Sequence, residues 1–177
     1  MDARTKRNRA EAVRRRLSKS LSHLGFQRTK TSFWTRERPH VVEFFHLHLF
    51  SFAPAFRVHL GIRVLNDPFE AAALNGLSSH DGWYGDGPRI LLDYTEAQES
   101  VERCADNLAR FVTEVGVPWF DRFESPHLLL TAADSPLQAD ERAALAQALA
   151  GNSVEGRVAG SRVILGLSGQ DTLRDVQ

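Results

Sequence analysis

The chain has 177 residues, 42% of them hydrophobic and 25% charged, with 22 basic and 22 acidic side chains that cancel. That composition can bury a core and excludes a compositionally disordered chain, while the single Cys104 excludes an internal disulfide and a multi-cysteine zinc centre. With no early apolar stretch resembling a signal peptide and no run near the roughly 18 apolar residues of a membrane span, the expectation is one cytoplasmic domain over residues 1–177 with no membrane association.

The first element is an amphipathic helix. Ala10, Val13, Leu17, Leu21 and Leu24 recur at spacings of three and four and share one stripe, with Arg9, Arg14, Arg16 and Lys19 mostly off it. Gly25 supplies the stop, because glycine accepts the left-handed conformation at a helix C-terminus. Residues 1–6 are expected to fray. Residues 1–30 carry ten Lys/Arg against only Asp2 and Glu11, an excess balanced by the acidic remainder of the chain. Such asymmetry fits a basic arm for nucleic acid, or a basic segment lying against its own acidic remainder; the second reading is preferred here.

Three short strands follow. Ser32 to Arg36 is the first, broken by Pro39. The runs Val41 to Phe50 and Phe56 to Val64 are rich in β-branched and aromatic residues and joined by a short connection, which predicts an antiparallel hairpin. Side chains alternate along a strand, so His46 and His48 oppose Phe45, Leu47 and Leu49. Likewise Arg57, His59 and Arg63 oppose Phe56, Val58, Leu60, Ile62 and Val64. If the apolar faces share a core, the three histidines and two arginines gather on the other side.

Beyond the hairpin, Asn66-Asp67-Pro68 marks a turn, Phe69 to Leu74 a short helix, Ser78 to Gly87 a loop and Arg89 to Asp93 one more strand. Thr95 with Gln98 reads as a capping box opening a helix to Val115, ended by Gly116. Cys104 lies on the buried stripe of that helix with Val101, Ala105, Leu108 and Phe111, which points to a packed thiol and not to a nucleophile. Ser125-Pro126 and Ser135-Pro136 both signal helix starts, the second opening an alanine-rich helix that ends near Gly151. Val163 to Leu167 suits either strand or helix, and residues 135–177 read as a helical C-terminal extension. The fold class is therefore α+β: an N-terminal helix, an antiparallel meander of about four strands, and helices packed on one face.

The order Leu24-Gly25-Phe26, Ser32-Phe33-Trp34-Thr35-Arg36 and Phe56 to Ile62 resembles the bacterial domain-of-unknown-function family DUF4304. Asp81-Gly82-Trp83-Tyr84 is similar to a tryptophan-rich step of that family, and Gly116 to Asp121 to its turn after a helix. The resemblance covers about residues 13–130. It implies an α+β fold and no assigned activity, and the family more often has Asn or Gln where this chain has His46, His48 and His59.

No phosphate-binding glycine loop, G-x-S-x-G or H-E-x-x-H is present. Three function classes remain. The first is a non-enzymatic binding module using a polar, aromatic-rimmed sheet face formed by Trp34, Phe44, His46, His48, Arg57, His59 and Arg63. The second is a small metal-dependent or acid/base enzyme at His46, His48 and His59, the candidate metal ligands, although the hairpin offers no obvious fourth. The third is nucleic-acid binding through the basic helix at Arg14-Arg15-Arg16, which ranks last because no reading motif accompanies it. A protein partner is expected, a small-molecule ligand stays open, and neither a cofactor nor a bound metal is implied.

Overall fold

In a computed structural model of the protein, residues 1–79 and 92–167 are described. Helix α1 (Ala3–Leu21) is followed by a short 3-10 turn, Ser22–Leu24, and Gly25 ends it in the left-handed region at φ 79°. The expected fray over residues 1–6 gives way to a tethered start. Asp2 caps the helix by accepting from the Arg4 and Thr5 amides, Lys6 Nζ donates to the Phe50 and Ser51 carbonyls, and Tyr94 donates to the Lys6 carbonyl.

Four strands form one antiparallel sheet in chain order: β1 (Gln27–Lys30), β2 (Phe33–Glu37), β3 (Val41–Leu49) and β4 (Phe56–Val64). The meander is as expected, but its fourth member is β1, short and polar enough to hide in the sequence. The strand expected at 89–93 falls largely outside the described residues, as does the motif Asp81-Gly82-Trp83-Tyr84; Asp93 itself makes a single antiparallel bridge to Ala55.

Strand alternation divides the sheet into two faces. Trp34, Phe45, Leu47, Val58, Leu60, Ile62 and Val64 join Val13, Leu17, Leu21, Val101, Leu108 and Phe111 in the main core, so α1 and α2 (Gln98–Phe111) cover this side. On the opposite face Val42 and Phe44 pack with Leu65, Leu165 and Leu167. That second core is closed by the end of α6 (Glu155–Leu165) and by Leu167, within the run Val163 to Leu167 that suits either strand or helix; the C-terminal part is helical to Leu165, but it lies on the sheet as well as extending the chain. Gly61 faces Phe44 in register, and a Cβ there would lie 2.3 Å from the Phe44 ring. The aromatic ring fills the space left by the missing side chain.

Several boundaries differ from expectation for local reasons. No helix forms over 69–74, because the carbonyls of Asp67, Phe69 and Ala71 turn inward onto the Arg63 guanidinium. Thr95 does not pair with Gln98: its hydroxyl accepts from the Ala97 amide, and α2 starts at Gln98. Gly116 does not end the helix either. The chain widens into a π turn, Val112–Gly116, and continues as α3 (Val117–Arg122), burying Phe120 and Phe123. Ser125-Pro126 opens α4 (Pro126–Thr131) as expected, whereas Ser135-Pro136 precedes the next helix without starting it. Helix α5 (Ala139–Leu149) has Gln138 and Glu141 as its capping box.

Candidate functional site

Register brings the hairpin histidines together. His46 sits directly opposite His59, and His48 opposite Arg57, so all four share one face as the alternation predicts. Ring centroids lie 6.3 Å apart for His46 and His48, and 6.4 Å for His46 and His59. His46 is half-buried against the Phe33 ring at 4.7 Å, and its buried Nδ1 has no hydrogen-bond partner. Burial, reinforced by His59 and then His48, lowers its pKa from 6.5 to about 4. This imidazole is neutral at physiological pH.

Towards the hairpin tip the same face becomes aromatic and open. His48 is exposed and meets Phe50 edge-on at 5.4 Å, Phe50 lies 5.1 Å from Phe52, and Phe52 is 83% exposed. The Arg57 guanidinium stands 5.4 Å over the Phe50 ring.

Three residues expected at this surface do not reach it. Trp34 pairs with Phe45, which fixes it on the core side; it stacks on that ring at 5.1 Å and donates from Nε1 to Ser18 Oγ at 2.9 Å. Arg63 is on the histidine face but is 2% exposed, and α6 with the turn after β4 encloses it. It donates to Ser161 Oγ and to three backbone carbonyls and pairs with Asp67. Both are structural residues. Phe44, also expected at the rim, is buried in the second core.

Among the described residues, no three His, Cys, Asp or Glu side chains come together so as to hold a metal ion. Cys104 is buried, donates to the Leu92 carbonyl at 3.4 Å, and is pushed by burial up to about 12, which fits a packed thiol. Among the described residues no helix is long and apolar enough to cross a membrane.

The basic helix is largely answered from within the chain. Arg14 is buried over the Phe56 ring, Arg16 binds Asp106 through two nitrogens, and Arg28 grips Glu11 at 2.7 and 2.9 Å. Arg15 is the outward member of the triplet, its side chain 79% exposed.

The sequence reading passed over three buried carboxylates. Glu43 breaks the apolar alternation of β3 and lies between Arg36 and Arg38. Its signal was available: an acidic residue at a core-facing strand position, with one arginine on the neighbouring strand and a second just past its end. Glu141 follows Gln138 by three residues, the spacing of a capping box. Asp67 gave no signal beyond a turn.

Comparison with known proteins gave no match to a family model, to a curated protein or to a solved structure. Membership of DUF4304 therefore remains an expectation carried by the motifs quoted above.

Proposed function

We propose that the protein is a non-enzymatic binding module whose contact surface is the tip of the β3–β4 hairpin: His46, His48, Arg57 and His59, with Phe52 as its apolar anchor. The observation that carries this reading is the 83% exposure of Phe52 next to an arginine–aromatic stack, since aromatic and arginine side chains dominate the energetics of protein contacts. A protein partner suits such a surface because its apolar anchor, Phe52, projects from the hairpin tip and its arginine stacks on an aromatic ring, the side-chain types that anchor protein contacts. The burial of Arg14 and the pairing of Arg16 with Asp106 weigh against nucleic-acid binding through α1. Arg16, paired with Asp106, lies against the chain's acidic remainder, whereas Arg28 is answered by Glu11 of the same basic segment.

The test is to identify the partner by cross-linking in the source cells and to measure its affinity for the purified protein. Phe52→Ala at the exposed tip and Arg57→Ala, half-buried over Phe50, should each weaken binding by about 1 kcal/mol or more, with thermal stability unchanged in the first. A partner that binds both variants as tightly as the parent would remove the hairpin face from consideration. A salt-sensitive affinity for DNA or RNA, lost when Arg14, Arg15 and Arg16 are replaced, would put the basic helix in its place.

A further inference from the structure

A groove of about 450 Å³ runs between α6 and the turn after β4. Pro68 and Phe69 line it on the turn side, Val163 and Ile164 on the helix side. Arg63 ties the two walls together: its guanidinium donates to Ser161 Oγ on α6 and to the carbonyls of Asp67, Phe69 and Ala71 in the turn. With those carbonyls turned inward, the Phe69 ring is left outside at 56% exposure, facing an edge of α6 where Val163 is 57% exposed. The groove is therefore apolar and its walls are fixed in advance, which lowers the cost of ordering them on contact.

A surface helix normally carries polar or charged residues opposite its buried stripe. Opposite Ser161 and Leu165, α6 instead presents Ala159 and Val163, with no charged residue between them and the groove floor at Gly156 and Gly160. A Cβ at either glycine would meet nothing within 4 Å, so the chain leaves room there that it does not itself use.

The rim holds one charge of each sign. Glu70 is exposed and Arg157 half-buried, and both line the groove. Among the described residues neither side chain has a hydrogen bond or an ion pair. Arg63 and Asp67, the other charges of the lining, answer each other.

We propose that this groove is the contact face between two copies of the chain, related by a two-fold axis with their α6 helices antiparallel. In such a contact residue i meets j and j meets i, and this surface holds both members of each pair it needs. Val163 is the apolar ridge for the room above Gly156 and Gly160 of the second copy, and Glu70 is the counter-charge for the second copy's Arg157. A foreign partner would have to supply ridge, anion and cation in the same order, whereas a second copy supplies them by symmetry. The end of α6 packs over Val42 and Phe44, at the other end of β3 from the hairpin tip, so this contact and the tip are separate surfaces. A groove of this size belongs with small, reversible interfaces, with a dissociation constant on the order of 10–100 μM.

Sedimentation equilibrium of the full chain should show the weight-average mass rising from the monomer towards the dimer value between about 1 and about 500 μM. Glu70→Arg and Arg157→Glu each set like charges opposite one another across the two-fold axis, and each should weaken association about tenfold or more. An equimolar mixture of these two variants restores opposite charges at both contacts and should recover the parent's association as a heterodimer. Loss of folding in either variant could not be rescued in this way. Val163→Asp, at an exposed position, should hold the chain monomeric with an unchanged circular dichroism spectrum. The proposal is overturned if the parent stays monomeric up to about 1 mM, or if the mixture does not recover what the single variants lose. It is equally overturned if Val163→Asp and the charge reversals associate as the parent does, which would place any dimer on another face.

Discussion

Replacing His46 by phenylalanine tests the electrostatics of the hairpin face, because a folded state that disfavours imidazolium must lose stability in acid. The pKa of His46 is lowered from 6.5 to about 4 by burial, with His59 and His48 adding repulsion. Between those values the unfolded chain takes up a proton that the folded one refuses. The unfolded state is therefore favoured progressively as pH falls from above 6.5 towards 4. The full shift corresponds to a ceiling of about 3 kcal/mol; because the ring is only half-buried, solvent screening reduces the expected effect to about 1 kcal/mol between about pH 7.5 and about pH 5. His46→Phe removes this penalty. It also replaces an imidazole whose Nδ1 has no partner by a ring that retains the contact with Phe33. Urea unfolding at the two pH values should show near-equal stabilities in neutral solution and a phenylalanine variant more stable by about 1 kcal/mol in acid. Parallel loss of stability in both proteins would refute the reasoning, and the histidine face would then be wetter than its geometry indicates.

Leu17 is fully buried in the main core, so Leu17→Asp should leave the chain insoluble or unfolded by circular dichroism, since truncation alone costs about 2–5 kcal/mol and an unpaired carboxylate adds to it. Arg15→Ala, on the solvent side of α1 away from the core stripe, should stay within about 0.5 kcal/mol in urea unfolding. Glu43 is 2% exposed between Arg36 and Arg38, and Glu43→Gln should cost about 3 kcal/mol by leaving two partly buried guanidiniums without their shared anion. Gly61→Ala would bring a methyl group into the Phe44 ring, and chemical denaturation should show a loss of about 1–3 kcal/mol that the double change with Phe44→Leu partly restores.

What the sequence determined by itself were the features written in local periodicity. The α1 stripe at Ala10, Val13, Leu17 and Leu21, the Gly25 stop, the meander, and the shared face of His46, His48 and His59 all follow from spacings of 3.6 or 2 that survive folding. Pairing between elements was not written there. Trp34 belongs to the core because its register partner is Phe45, and no local pattern fixed how β2 slides against β3. Arg63 alternates correctly with the histidines, yet α6, close to a hundred positions later in the chain, folds over it and converts a surface cation into a buried one. Two of the three carbonyls that solvate it, those of Phe69 and Ala71, come from the segment read as a helix, so one long-range burial displaced a local propensity. The groove between Phe69 and Val163 arises the same way, from a turn and a helix distant in the chain whose meeting only tertiary packing decides.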